Sequence, residues 1–216
     1  MAIKLICFDF DGTIANTMPW LEKNAVDLFV KFYEIDEKEA IHKYRITTGL
    51  PFEQQVEIIF PENSLNLEVI KSFESRKIER MHEQELFPET KSVLKSVKEK
   101  GFLTAVSSST IKSIIEDYTK LKGIHQFLDE IVGFYPGFEK GKHHFDHLMS
   151  KFGLSNHELM YIGDSKKDME RAFGSRIKFV ARLGPMFSKN DFSMISNGNE
   201  IVFPTITSLT QISDYI

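Results

Sequence analysis

In the stretch CFDFDGTIANT, Cys7–Thr17, two aspartates flank a phenylalanine directly after an apolar run. Alternate side chains of an extended chain share a face, so Asp9 and Asp11 point one way while Phe8 and Phe10 point the other. Carboxylates held this close repel one another unless a cation lies beside them. Gly12 then allows the backbone to turn sharply and approach a ligand. A calcium loop of the EF-hand type also opens D-x-D. It would need Gly and Glu where this chain has Ile14 and Trp20, and it would follow a helix rather than a strand.

The stretch LMYIGDSKKDMERA repeats the arrangement, with Asp164 closing an apolar run and Asp168 four residues on. A helix opening at Ser165–Lys167 would turn both acids toward one site. Hard oxygen donors from two strand ends suit Mg²⁺, which takes one or two carboxylates and leaves room for phosphate oxygens. FLTAVSSST ends a third apolar run in Ser107 and Ser108, whose hydroxyls and N–H groups can hold phosphoryl oxygens. Lys140 and Lys142 stand ahead of a helix with Phe145, Leu148 and Phe152 on its core face, where an ammonium could neutralise a carboxylate and a phosphate together.

The elements that must position these residues follow from the apolar pattern. Strand-length runs occur at Ile3–Phe8, Phe102–Val106, Glu130–Gly133, Leu159–Ile162, Ile177–Ala181 and Ile201–Phe203. Helical spacing lies between most of them, which predicts an α/β fold: a Rossmann-like three-layer core with a parallel sheet. The first gap breaks the rhythm. Helical faces recur at Leu21, Ala25, Leu28, Phe29 and Phe32, at Phe52–Phe60 and at Val69–His82, so an insertion of about 70 residues is expected to form a small all-helical domain. The expected division is residues 1–14 and 86–216 for the core and 15–85 for the helical domain, which leaves the core just beyond Asp11, where ligands bind in open parallel sheets. Gly184–Asn199 is the longest irregular piece, expected to cap one end of the sheet.

With its four motifs in order, DFDGT, the serine after LTAV, the lysine before HHFDHLMSKFG, and IGDSKKD, the sequence resembles the haloacid-dehalogenase superfamily of phosphohydrolases. The helical insertion resembles that superfamily's first-type cap, as in relatives of phosphoglycolate phosphatase and beta-phosphoglucomutase. The resemblance implies that Asp9 is the nucleophile and Asp11 the general acid and base. It implies Mg²⁺ as cofactor, with Asp9, the Asp11 carbonyl and Asp164 as ligands and Asp168 supporting the metal or the lysine. Ser107 would hold the phosphoryl group, and Lys140, followed by Gly141, is preferred over Lys142 as the motif lysine. Thr13, Ser108, Arg45, Gly49 and Lys142 are expected to contact substrate, with Arg45 read equally well as a surface arginine. Relatives commonly carry Asp where this chain has Asn16, which bears on the loop into the cap.

Several classes are disfavoured. A net charge of −4 with scattered Lys and Arg does not suit a nucleic-acid surface. With Cys7 alone no internal disulfide can form, and no apolar run approaches the roughly 20 residues of a membrane span, so a cytoplasmic protein is expected. His143 and His147 have the spacing of a helical zinc pair but lack a supporting Cys or Glu pattern, so His143, His144 and His147 read as ordinary exposed helix residues. Thr110 reads as helix capping. Asp11 argues against halide or phosphonate chemistry, which needs no acid at that place. The expected activity is hydrolysis of a small phosphorylated metabolite through an aspartyl-phosphate, by a monomer or homodimer. A phosphomutase and a non-catalytic binding protein on the same fold are the alternatives.

Overall fold

The computed structural model describes residues 2–216. The chain forms two compact units: the segment ending at Ala15 with Leu86–Ile216, and Asn16–Glu85. In the first unit, β1 (Leu5–Phe8) is buried along its whole length. Such unbroken apolar runs are what a parallel strand covered on both faces requires.

The helical unit follows in sequence and contains α1 (Met18–Tyr33), α2 (Glu37–Thr47), α3 (Phe52–Ile59) and α4 (Asn66–Arg80). Aromatic rings tie three of them together: Phe52 stacks on Phe73 at 3.6 Å between centroids, and Phe29 meets Phe52 at 5.9 Å and Phe60 at 5.2 Å. The sequence pattern passed over α2, whose buried face is only Ala40, Tyr44 and Thr47. Its start is set instead by Asp36, which accepts the Glu39 N–H at 2.8 Å and so satisfies an end donor of the helix.

The sheet unit then resumes with α5 (Thr90–Glu99), β2 (Leu103–Ile111), α6 (Lys112–Leu121), β3 (Glu130–Phe134), α7 (Lys142–Phe152), β4 (Leu159–Gly163), α8 (Lys166–Gly174), β5 (Lys178–Arg182), the pair β6 (Ser193–Ser196) and β7 (Asn199–Val202), and β8 (Thr205–Ile206). Six strands pair in the order β3-β2-β1-β4-β5-β8, every pairing parallel. From β1 the chain steps outward to β2 and β3, then returns to lay β4 against the other side of β1. Right-handed crossovers of opposite direction place helices on opposite faces. One face buries Leu5, Cys7, Ala105, Tyr161 and Phe179 against Phe145 and Leu148 of α7 and Met169 and Ala172 of α8. The direction reverses between β1 and β4, and the crevice beyond the carboxyl ends of strands at such a reversal is the ligand site of open α/β sheets.

Three features differ from the apolar pattern. Strand β2 continues to Ile111, with a register shift between Ser107 and Ile111, so the serines lie inside the strand rather than after it. The run at Ile201–Phe203 does not enter the parallel sheet; β7 pairs with β6 as an antiparallel hairpin, and β6 lies within the stretch read as irregular. The sixth sheet strand is the two-residue β8, too short to show a period. No helix among the described residues is long and apolar enough to cross a membrane.

Phe145 is fully buried and meets Tyr161 edge-on at 5.0 Å. Phe145→Ala should lower unfolding stability by about 3–5 kcal/mol, the usual range for emptying a buried aromatic site, read from urea denaturation.

Candidate active site

Asp9 is the first residue past β1, and its N–H extends the ladder by donating to the Ile162 carbonyl at 2.8 Å. The chain then folds back within six residues: the Gly12 N–H reaches the Ala15 carbonyl, and the Ala15 N–H reaches the Phe10 carbonyl. Gly12 takes φ 78°, a conformation costly for residues with a Cβ. Ala15 also bridges to Leu86, which keeps it with the sheet unit.

Asp9 Oδ1 accepts the Phe10 N–H at 2.7 Å and the Lys140 ammonium at 2.7 Å. The same ammonium lies 2.7 Å from Asp168 Oδ1. Lys140 is buried just ahead of α7, whereas the exposed side chain of Lys142 pairs with Asp146 one helical turn away. Asp168 is locked in turn. It and Ser165 cap α8 reciprocally, Ser165 Oγ donating to Asp168 Oδ2 at 2.7 Å, and Tyr161 donates its hydroxyl to Oδ1 at 3.0 Å. Gly163 leaves the room required, since a Cβ there would lie 2.7 Å from Asp168 Cβ.

Carboxylate oxygens of Asp9, Asp164 and Asp168 lie within 4.8 Å of one another, and all three residues are buried. Burial raises the pKa of Asp9 to about 7; Lys140 opposes this and Asp168 adds to it. Burial, with Asp9 and Asp168 beside it, pushes Asp164 well above the usual carboxylate range. Burial also acts to raise Asp168, but Lys140 and Arg171 with the hydrogen bonds from Lys140 and Ser165 bring it below its ordinary value. Burial would lower Lys140, yet Asp168 and Asp9 hold it above the ordinary lysine value. Asp168 is thus satisfied by protein donors, whereas Asp9 and Asp164 are held near each other with too little positive charge. An all-carboxylate donor set short of charge fits a hard divalent cation.

Asp11 does not belong to that cluster; its Oδ2 accepts the Thr110 hydroxyl at 2.6 Å. Thr110, read from sequence as a helix cap, is therefore a partner of Asp11, and the Thr110 N–H donates to Ser108 Oγ at 3.0 Å. Ser107 Oγ lies 2.9 Å from His144 Nδ1. His144 is fully buried, unlike the exposed helix residue expected, and burial followed by the Lys140 charge lowers its pKa to about 3, so the ring is neutral. Thr13 is buried with a hydroxyl lacking any protein partner, an orphan that a ligand oxygen could satisfy. In the helical unit Gly49 adopts φ 97° at the turn after α2, and Arg45 forks onto Glu22, Nε to Oε2 at 2.6 Å and NH2 to Oε1 at 2.9 Å. The backbone N–H of Asn16 donates to the Glu85 carbonyl at 2.9 Å, pairing the two ends of the helical unit whatever side chain residue 16 carries.

The sequence gives no role to Tyr161, reads Ser165 only as a helix start and assigns Thr110 and His144 to other roles. Only Ser165 left a signal, as the start of the S-x-x-D capping pattern ending in Asp168. The others are brought in by strand pairing and helix packing.

The sheet order, the reversal between β1 and β4 and the acids at their ends are the arrangement expected of the haloacid-dehalogenase type. A sequence model of haloacid dehalogenase-like hydrolases matches residues 6–182, and the chain belongs to that family. It is 28% identical over 177 residues to a phosphoglycolate phosphatase of Pasteurella multocida, covering 77% of this chain and 79% of that protein. It is 25% identical over 176 residues to the pyrophosphatase PpaX of Halalkalibacterium halodurans, covering 78% of each. The fold superposes on a solved haloacid dehalogenase-like hydrolase from Streptococcus pneumoniae with TM-score 0.78 at 21% identity, over 99% of this chain and 98% of that one.

Because the folded pKa of Asp9 lies above its unfolded value, the folded state binds the extra proton between about pH 4 and 7, and stability falls as pH rises through that window. In chelator-treated protein the melting temperature should drop from pH 5 to pH 8. The drop should be smaller in Asp9→Asn, and an added divalent cation should reverse it at pH 8. Identical pH profiles for the two proteins would remove the assigned cause.

Proposed function

We propose that the protein is a Mg²⁺-dependent phosphatase that hydrolyses a small phosphorylated metabolite through an aspartyl-phosphate on Asp9. The observation that carries this reading is the buried Asp9 carboxylate at the switch between β1 and β4, oriented by Phe10 N–H and Lys140 and within 4.8 Å of the Asp164 and Asp168 oxygens. With Oδ1 fixed by those two donors, Oδ2 is the oxygen left to attack phosphorus. The P–O bond to the leaving group breaks as the Asp9–phosphorus bond forms.

Asp11 gives its proton to the leaving oxygen. It then takes one from the water that attacks phosphorus, freeing phosphate and regenerating Asp9. The Thr110 hydroxyl holds the Asp11 carboxyl in place through both steps. Lys140 keeps Asp9 available as an anion and, with Asp168 anchoring it, offsets charge on the transferring group. Ser107 and the unpartnered hydroxyl of Thr13 are assigned to the phosphoryl oxygens, with Ser108 beside them. Asp9, the Asp11 carbonyl and Asp164 would hold the Mg²⁺, which when bound supplies positive charge to the phosphoryl oxygens. Asp168 is then a positioning residue for the lysine rather than a metal ligand. Selection among substrates is assigned to the helical unit, residues 16–85, which leaves the core five residues after Asp11. Relatives named for phosphoglycolate and for pyrophosphate support a small, strongly anionic phosphate as substrate.

Purified protein with Mg²⁺ should release p-nitrophenol from p-nitrophenyl phosphate, and EDTA should stop it. Asp9→Asn should lower kcat by a factor on the order of 10³ or more, and Asp11→Asn by about 10²–10⁴, the usual contribution of a general acid. Turnover in Asp9→Asn equal to that of the parent protein ends the nucleophile assignment. Once activity is established, a panel of phosphorylated metabolites scored by free-phosphate release identifies the substrate.

A further inference from the structure

The helical unit contains a second concentration of charge that the proposed reaction does not use. Trp20, Lys23, Asn24 and Asp27 on α1 and Arg76 and Arg80 on α4 line one cavity of about 290 Å³. That is close to the lower bound of small-molecule sites, roughly 300 Å³. All six residues belong to the same compact unit.

The hydrogen-bond inventory of this cavity is one-sided. Lys23, Arg76 and Arg80 can only donate. Asp27 contributes the one carboxylate, and both its oxygens are taken by Lys23, at 3.0 and 2.8 Å. Arg80 is drawn to Glu83, NH2 to Oε2 at 2.8 Å. Arg76 has no carboxylate partner among the described residues; NH1 donates to Asn24 Oδ1 at 3.0 Å. That bond takes the oxygen of the Asn24 amide and leaves its NH₂ group as the free end of a residue that lines the cavity. Asn24 is only 5% exposed, and its Nδ2 finds no acceptor. A buried amide donor without an acceptor is costly and rare, and here it sits beside a guanidinium with no carboxylate counter-ion. What the cavity lacks is an acceptor-rich anion. The half-buried indole of Trp20 supplies an apolar wall.

We infer that α1 and α4 form an oxyanion site within the helical unit, taking a phosphate group against Arg76, Asn24 and Lys23. A tetrahedral oxyanion can accept from the Arg76 fork and the Asn24 amide together, which chloride cannot. The ligand chemistry is a phosphate, either free or carried by a small ester.

Trp20 is the chain's single tryptophan, so its emission reports on this cavity directly. The experiment uses full-length Asp9→Asn protein, to prevent turnover, without added metal, at fixed ionic strength. Inorganic phosphate, glycerol 3-phosphate and chloride are titrated separately against tryptophan emission. A saturable change with either phosphate species and none with chloride is expected, and the species binding more tightly identifies the source. Adding Arg76→Met should weaken the response by about tenfold or more, the loss of a charged hydrogen-bond pair. Adding Asn24→Asp should abolish it, since the new carboxylate would occupy Arg76 and repel the ligand. An unchanged melting temperature in that variant separates lost binding from lost fold. Absence of a saturable response, or a response of equal affinity in both variants, overturns the inference. The binding measurement stands whether or not Asp9 is a nucleophile, so the two readings fail independently.

Discussion

One buried ammonium governs the organisation of the sheet unit. Lys140 lies 2.7 Å from an oxygen of Asp9 and 2.7 Å from an oxygen of Asp168, and all three side chains are almost wholly out of water. Isolated charges are not tolerated there, whereas a lysine shared between two carboxylates retains its proton and stabilises both. The surrounding sequence serves this bridge. Gly141, with φ 109°, turns the chain into α7 immediately after the lysine, Gly163 leaves space for Asp168, and Ser165 and Tyr161 occupy the remaining positions on that acid.

The bridge is also incomplete, and chemistry follows from that. Three buried acids share one lysine, with Arg171 only at 3.9 Å from Asp168. The deficit falls on Asp9 and Asp164, whose ionised forms the burial disfavours. A cluster of buried carboxylates with this little positive charge is a donor set that suits a hard divalent cation. The helical unit presents the inverse case, donors in excess of acceptors around Arg76 and Asn24.

The second polar layer shows how packing recruits groups that have no motif. Strand β2 carries Ser107, Ser108 and Thr110 past the point where its apolar run ends, and its pairing with β1 and β3 brings Thr110 to Asp11. Packing of α7 on the same sheet face as Cys7 and Ala105 buries His144 against Ser107. A neutral imidazole there fixes the serine without adding charge next to Lys140.

By itself the sequence determined the alternation of strand and helix, the five main parallel strands, the helical insertion and the acids at positions 9, 11, 164 and 168. Those features rest on short-range physics: period-two and period-3.6 apolar patterns, side-chain alternation along a strand, and the spacing of one helical turn. It left Lys140 and Lys142 close rivals, since two residues apart in a loop they differ only in where they end up. The fold buries Lys140 between Asp9 and Asp168 and leaves Lys142 exposed beside Asp146. Tertiary structure also decided that Thr110 meets Asp11, that His144 meets Ser107, that Arg45 is held by Glu22, and that β6 and β7 form a hairpin. Each of these depends on contacts between residues distant along the chain or on a register set by neighbouring strands, and a linear pattern carries no term for either.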